Sequence, residues 1–392
     1  MYNAKLQVQM IRTGILLPRS SLVPSLGHDI LNGIKQSLKQ LKITDDIKFI
    51  TDNIGFATDE QEVYSKAERM LLQEDADVVI VCADAKIEEM LQPVFASSKK
   101  ILLMVNTGAN FPDSWQPGAT SISHSLNFCL HAQLTGKLAA SATSQQVINV
   151  ISYYDGGYRQ CYCMLTAHQQ NGGSPLFNHI THFRLEEFTL DPVAEVLELN
   201  THVDSMLCLF AAEQAERFYK DVQPLQEKYG LHLFVSPMML EESLTGMPGV
   251  TVKNASGFIP WHSSLDNPAN KSFKEAYTKG TGQPANYFSM LGWETGLILH
   301  EINKQVNTGN TNASAIVKEL QGHVFESPRG WFKIDAETQY SYGSSHLVHY
   351  AGDGASNIQA DAANVEEAWK TLTSHELHSG ESSSWKNTYL CI

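Results

Sequence analysis

The chain has 392 residues, with 28 Lys and Arg against 42 Asp and Glu, for a formal net charge of −14. That balance excludes a surface-wide attraction to phosphate or anionic lipid, so nucleic acid is not an expected partner. Hydrophobic residues make up 43% and charged residues 18%, the proportions of a folded chain, and the length asks for two or three units rather than one core.

Short apolar runs alternate with helical patterns from the start. Strands are predicted at 8–17, 47–52, 77–83 and 100–106, and again at 147–154, 178–185, 203–211 and 231–236. Between them, Ile30, Ile34, Leu38 and Leu41 recur at helical spacing in 29–41, which puts them on one face. The segments 59–73, 86–97, 128–142, 156–170 and 212–229 read the same way. Alternating elements of this size imply right-handed βαβ crossovers and a parallel sheet covered on both faces. The series restarts at "QVINVISYYDGGY" (146–158), so two α/β lobes of similar build are expected.

Beyond 254 the regularity changes. "NASGFIPWHSSLDNP" (254–268) is polar, Gly/Pro-marked and aromatic, helices follow at 268–279, 286–305 and 312–321, and "FESPRGWFKID" (325–335) alternates like a hairpin. Residues 353–392 read as an extension with one helix (361–374) and a loosely held tail.

No stretch approaches the roughly 20 apolar residues of a membrane helix. The opening "MYNAKLQVQM" lacks the basic and apolar regions of a signal peptide. Two expectations stay open: an extracytoplasmic chain that has lost its leader, and a cytoplasmic one. The cysteines (Cys82, Cys129, Cys161, Cys163, Cys208 and Cys391) form no Cys-x-x-Cys pair, and are expected as buried thiols rather than zinc ligands or a disulfide framework.

Catalytic signatures are missing. No Gly-x-Gly-x-x-Gly follows the first strand, and there is no P-loop, no Gly-x-Ser-x-Gly and no His-Glu-x-x-His. His179-x-x-His182 and His346-x-x-His349 sit in predicted strands, where i and i+3 face opposite ways and cannot share one ion. No cofactor or metal is expected. What remains is a set of strand-to-helix turns, which in an open parallel sheet lie together at the carboxyl edge where ligands bind. Ser20 and Ser21 form the first, Ala83, Asp84 and Ala85 the second, and Asn106, Thr107, Gly108, Ala109 and Asn110 the third. Free N–H groups at the following helix starts can hold an anionic group; the same residues could instead be caps and turn formers. A facing wall is offered by Tyr153, Tyr154, Asp155 and Tyr158 around a Gly-Gly turn, by Ala211, Ala212 and Glu213, by Ser236, Pro237 and Met238, and by Trp261, Tyr287 and Phe288. Aromatics suit the jaws of a closing cleft, and each could equally be core.

With these residues assembled, the chain resembles the type I periplasmic binding proteins, in particular the branched-chain amino-acid-binding (Leu/Ile/Val-binding-like) family of ABC transporter solute receptors. The likeness covers about residues 8–352. "GILLPRSSLVPSLGHDILNG" (14–33) is similar to that family's first strand, loop and helix start, "VNTGAN" (105–110) to its Gly-Ala turn, "NKSFKEAYTKGTGQPANYFSMLGWETGLIL" (270–299) to its Phe-x-x-x-Tyr and Gly-x-x-Pro region, and "SPRGWFKID" (327–335) to its return hairpin.

The resemblance implies two Rossmann-like lobes with parallel sheets joined by a three-strand hinge, crossing near 124–128, 255–262 and 325–331. Lobe I would be 1–126 plus 258–327, and lobe II 127–257 plus 328–352. It implies hinge closure on a small solute without chemistry, a membrane permease as partner, and a periplasmic or lipid-anchored location. The ligand carboxylate would be held by 83–85 and 108–110, with Leu26 against the side chain and Tyr158 from the second lobe. Leu26 stands where relatives often carry a larger aromatic. The acidic residue that pairs with a ligand ammonium falls near Met238, and a second-lobe aromatic falls near Ala211. A zwitterionic amino acid then needs Asp84 or Glu213 as partner, because a buried ammonium without one is costly; an amide, a small carboxylate or an aromatic solute stays open. A cytoplasmic or sensory amide sensor of the same fold, and an α/β enzyme, are the alternative readings.

Overall fold

Ile11, Ile15 and Leu16 lie sealed in the middle of a sheet, as an apolar run flanked by helical patterns requires. The computed structural model describes residues 10–142, 146–374 and 387–390. In chain order the first part runs β1 (Ile11–Leu17), α1 (Leu26–Gln40), β2 (Ile47–Asn53), α2 (Glu60–Leu72), β3 (Val78–Val81), α3 (Ala85–Ser98), β4 (Ile101–Asn106) and β5 (Ser121–Ser125). These strands make a sheet in the order β2-β1-β3-β4-β5, with every pair parallel. All of β3, Val-Val-Ile-Val, is buried, as a strand covered on both faces must be.

The second part runs α4 (Phe128–Ala142), β6 (Gln146–Ile151), α5 (Arg159–Gln170), β7 (Ser174–Ile180), α6 (Asp191–Leu199), β8 (Ser205–Leu209), α7 (Ala212–Tyr229), β9 (His232–Val235), α8 (Glu242–Thr245) and β10 (Ala255–Ile259). The chain then returns to the first lobe as α9 (Pro268–Thr281), α10 (Tyr287–Asn307) and α11 (Ala313–Leu320). β11 (Val324–Ser327), β12 (Gly330–Ile334) and β13 (Ser341–Gly343) form a small antiparallel sheet, and β14 (His346–Tyr350), β15 (Ser356–Gln359) and α12 (Val365–Thr373) complete the described elements. The second large sheet has the order β15-β14-β10-β9-β8-β6-β7; β14 and β15 are its antiparallel members. The expected pair of α/β lobes is present.

Local chemistry sets the boundaries. Asp59 caps α2 by accepting from the Glu62 N–H at 3.0 Å, and Asn286 with Ser289 forms a reciprocal capping box on α10. On α1, Ile30, Ile34 and Leu38 are buried, the face given by their spacing. That face meets α10 at a crossing tight enough to need glycine on both sides. A Cβ on Gly33 would lie 2.2 Å from the Ser289 carbonyl oxygen, and one on Gly292 2.1 Å from that of Ile30. "GHDILNG" and "SMLGWETG" thus dock α10 against α1, the helix that follows the turn after β1.

The chain leaves the first sheet after Ser125 and the second after Ile259, near the first two expected crossings. The third differs. Residues 328–343, grouped with the second lobe on sequence, lie instead beside β5, to which Tyr340 bridges at Ser123, while Ile334 bridges to Gln321 just after α11, and the chain rejoins the second sheet only at His346. The alternation in 330–343 is a strand signal that carries no information about which sheet receives it.

Arg329 stitches these crossings together. It is fully buried, and it binds both carboxylate oxygens of the fully buried Glu294, through Nε at 2.8 Å and Nη2 at 2.5 Å. Its other donors reach the Asn127 side chain at 3.3 Å and the Ser125 carbonyl at 3.1 Å. His346 Nε2 donates to the Arg329 carbonyl at 2.9 Å, while its Nδ1 accepts from the Asp361 N–H. Both ring nitrogens of His346 are therefore engaged, and no cluster suited to a metal ion occurs among the described residues.

Candidate functional site

The turns after β1, β3 and β4 meet at the carboxyl edge of the first sheet. Asn106 connects two of them: its Nδ2 donates to the Ala83 carbonyl at 3.3 Å, and its Oδ1 accepts from the Gly108 N–H at 2.9 Å. Gly108 has φ +68, and a Cβ there would come within 2.9 Å of the Asn127 backbone, so the turn needs the residue without one. Asp84 occupies the N-cap position of α3, yet its side chain makes no capping bond. Its carboxylate faces the cleft instead.

The opposite wall is the turn between β6 and α5. Tyr158 precedes α5, and both Tyr158 and Asp155 are buried. Asp155 Oδ2 accepts from Ser152 Oγ at 2.6 Å, and its Oδ1 accepts from Gln160 Nε2 at 3.1 Å. The two walls touch directly. The Arg159 N–H donates to Asn110 Oδ1 and the Gln160 N–H to the Ala109 carbonyl, each at 3.0 Å. The buried Arg159 side chain reaches the Pro112 carbonyl at 3.2 Å and sits over the Phe111 ring.

The space between the walls is filled by the chain's own residues 387–390. Asn387, Thr388, Tyr389 and Leu390 are all buried, with Tyr389 at 0% exposure. This corrects the expected loose tail; residues 375–386 and 391–392, Cys391 among them, lie outside the described residues. The Asp84 N–H donates to Asn387 Oδ1 at 3.0 Å, and Asp84 Oδ2 accepts from the Thr388 N–H at 2.8 Å. The hydroxyls of Thr107 and Thr388 are 2.5 Å apart. Tyr158 Oη accepts from the Tyr389 N–H at 3.0 Å, and Ser20 Oγ donates to the Tyr389 carbonyl. The Tyr389 ring lies edge-on to Phe128 and Tyr158, with centroids 6.1 and 5.1 Å away. Its Oη donates to Asp155 Oδ1 at 3.1 Å and accepts from Gln160 Nε2 at 2.7 Å. Beside Leu390 a residual cavity of about 20 Å³ is lined by Leu26, Ala83, Asn106 and Phe288, room for about one water.

Burial pushes the Asp84 carboxyl up to about 7, against the opposing pull of bonds from the Thr388 N–H, Asn110 and the Thr388 hydroxyl. It pushes Asp155 up to about 6, opposed by bonds from Ser152, Tyr389 and Gln160 among others. Each ionised form has lost water that its bonds only partly replace. No cation faces either carboxylate in the hydrogen bonds above; their visible partners are hydroxyl, amide and main-chain donors.

Ser20, Asp84, Thr107, Asn110 and Tyr158 are therefore brought together, with Leu26, Ala83, Ala85, Asn106, Gly108 and Ala109 supporting them. Other sequence candidates lie elsewhere. Ala212, Glu213 and Met238 line an open groove of about 360 Å³ between the lobes, with Leu22, Val23 and Asn286 opposite. Ser236 and Pro237 are buried beside it, and Tyr287 Oη reaches the Pro237 carbonyl at 3.4 Å. Tyr153 is 45% exposed and packs on Tyr154 and Phe183, and Ser21 is exposed. Trp261 corrects the expectation of a jaw: it is wholly buried, its Nε1 donates to Asn270 Oδ1 at 2.8 Å, and its ring packs on Phe273. Gln160, Phe128 and the segment 387–390 were not singled out as site residues. Gln160 had a signal, as a polar residue in the first turn of the helix after Tyr158.

The sequence profile described as periplasmic binding protein matches residues 10–351. The chain belongs to the periplasmic binding protein family. Its relatives in that family include branched-chain-binding-like receptors, as the resemblance implied. No curated protein sequence matches it. A Rhodopseudomonas palustris solute-binding protein of an ABC transporter, solved with benzoate, superposes with a TM-score of 0.71 at 19% identity, covering 90% of this chain and 96% of that one. A substrate-binding protein from Sphaerobacter thermophilus gives 0.75 at 15%, over 90% and 98%. A leucine-binding protein from Thermotoga maritima gives 0.65 at 13%, over 90% and 98%. At these identities the likeness speaks for the fold alone.

Proposed function

We propose that this periplasmic binding protein is an extracytoplasmic solute receptor of an ABC-type importer. It captures a small organic ligand between its lobes by hinge closure and hands it to a membrane permease, without performing chemistry. One observation carries the reading. Donors and acceptors from three turns of one sheet (Ser20, Asp84, Thr107) and from the facing turn (Asp155, Tyr158, Gln160) converge on one buried volume. Such convergence on a space between lobes suits a ligand that reports closure through both walls.

The chemistry of the walls favours a neutral or amide-bearing ligand with an aromatic ring. Asp84 takes a main-chain N–H, and the ring is met by Phe128 and Tyr158. Solute-binding proteins of similar fold were solved with benzoate, 3,4-dihydroxybenzoic acid and 4-hydroxybenzoate, which supports an aromatic solute here. The test is a thermal-shift panel of benzoates, amides and amino acids against the full chain and its Tyr389→Ala variant. A ligand at 100 times its Kd adds about 2.7 kcal/mol of stability. A panel that shifts neither chain refutes the reading.

A further inference from the structure

We propose that Asn387–Leu390 is a tethered occupant of the cleft, which must leave before a solute enters, and that its Tyr389 marks a subsite for a hydroxyphenyl ring. The inference rests on the reading of this cleft as the solute site.

The contacts are those of a ligand. Two successive main-chain N–H groups, of Thr388 and Tyr389, are bound by Asp84 of one lobe and Tyr158 of the other. The following carbonyl is bound by Ser20. The phenol is read at both its donor and its acceptor side, by Asp155 and Gln160. Any buried segment must find partners for its polar groups; here they come from the strand-end turns of both lobes, Ser20 and Asp84 on one side and Asp155, Tyr158 and Gln160 on the other. A solute offering an amide N–H, a carbonyl and a para-hydroxyphenyl group would satisfy the same partners.

The segment is also built to leave. It is short, and twelve residues (375–386) separate it from Ser374 at the end of α12. Tyr389 is held at φ 57, a left-handed conformation that a tyrosine adopts only at a steric cost. Neither lobe supplies all its contacts, so opening the hinge withdraws one set of them. Tethering makes the competition one-sided, because an attached segment acts at an effective concentration on the order of millimolar. If the segment holds the cleft for nine-tenths of the time, a solute sees about one-tenth of the sites, and its apparent affinity falls about 10-fold.

Hydrogen–deuterium exchange on the full wild-type chain tests occupancy directly. The Thr388 and Tyr389 amides should exchange at least ~10-fold more slowly than in the free peptide acetyl-Asn-Thr-Tyr-Leu-amide; exchange at the free rate overturns the proposal while leaving the solute reading untouched. Calorimetric titration with N-acetyltyrosinamide then tests displacement. The full-length Tyr389→Ala chain should bind it at least ~10-fold more tightly than wild type, with Tyr389→Phe, which drops the bonds to Asp155 and Gln160, shifting affinity the same way should the alanine variant fail to fold. Equal affinities overturn the proposal. Protected amides with no binding of any panel solute to any of these chains defeat the solute reading and make the segment a permanent plug, which also overturns it.

Discussion

Asp84→Asn should flatten one part of the stability profile between about pH 4 and pH 7. The carboxyl is 3% exposed and its folded pKa stands at about 7, against an ordinary 3.8. Because the folded value is raised, the unfolded chain releases this proton first. The group's contribution is therefore fully present below 3.8 and is lost as pH rises through 7. The loss runs at about 1.4 kcal/mol per pH unit over that interval, or about 4 kcal/mol in all. Asparagine keeps the contacts: its carbonyl oxygen can take the place of Oδ2, which accepts from the Thr388 N–H and from Asn110 Nδ2. Its amide can donate to the Thr388 hydroxyl, 3.4 Å from Oδ1. Urea unfolding of both full chains at pH 5 and pH 7 isolates the term, since every other titrating group appears in both. The wild type should lose about 2–3 kcal/mol more than the variant between these two points. Parallel profiles would show that Asp84 is hydrated in the folded protein, and the closed, occupied cleft described above would be wrong.

Three other outcomes follow from particular contacts. Arg329→Met should cost about 3–5 kcal/mol in urea unfolding, since it strands Glu294 in a site with no exposure, and Glu294→Gln added to it should recover part of the loss. Gly292→Ala should destabilise by about 1–3 kcal/mol despite the better helix former, because its Cβ would meet the Ile30 carbonyl at 2.1 Å; a neutral result would mean that α1 and α10 are not in contact there. Trp261→Phe should cost about 1–3 kcal/mol through the orphaned Asn270 oxygen while leaving affinity for any cleft ligand unchanged. A large affinity change would return Trp261 to the jaws.

The lobes were legible because their signals are local. Strand and helix periods, Gly-Gly turns and caps such as Asn286 act within a few residues, and α4 spans 128–142 as the pattern gives it. Sheet assignment of late strands was not legible. The alternation of 330–343 fits either lobe, and its place beside β5 is decided by the bridge from Tyr340 to Ser123, far away in sequence. β15 is exposed at most positions and so shows no buried face to detect.

The site was legible by halves, and the half that was missed explains the other. The turns at Ser20, Asp84 and Thr107 could be found because a parallel sheet forces its strand ends to one edge. Asp84 was ambiguous there, as either a helix cap or a ligand group. Its side chain makes no capping bond and accepts from the Thr388 N–H instead, which removes the cap reading and leaves the ligand role as the one proposed above. Nothing in "NTYL" announces burial, since four residues carry no period and a Tyr near a chain end is ordinarily exposed. Recognition of that segment resides in its partners. Asp155, Gln160 and Tyr158 hold a phenol and an N–H, and in the sequence they look like a Gly-Gly turn with polar neighbours. The departures from amino-acid receptors point the same way. Where a zwitterion receptor needs an acidic partner in the second lobe, Met238 lines an open groove, and the carboxyl that does enter the cleft is held near neutrality by burial. The groups this cleft does hold are main-chain amides, the N–H groups of Thr388 and Tyr389 on Asp84 and Tyr158, which is why the proposed solute is amide-bearing rather than a bare ammonium.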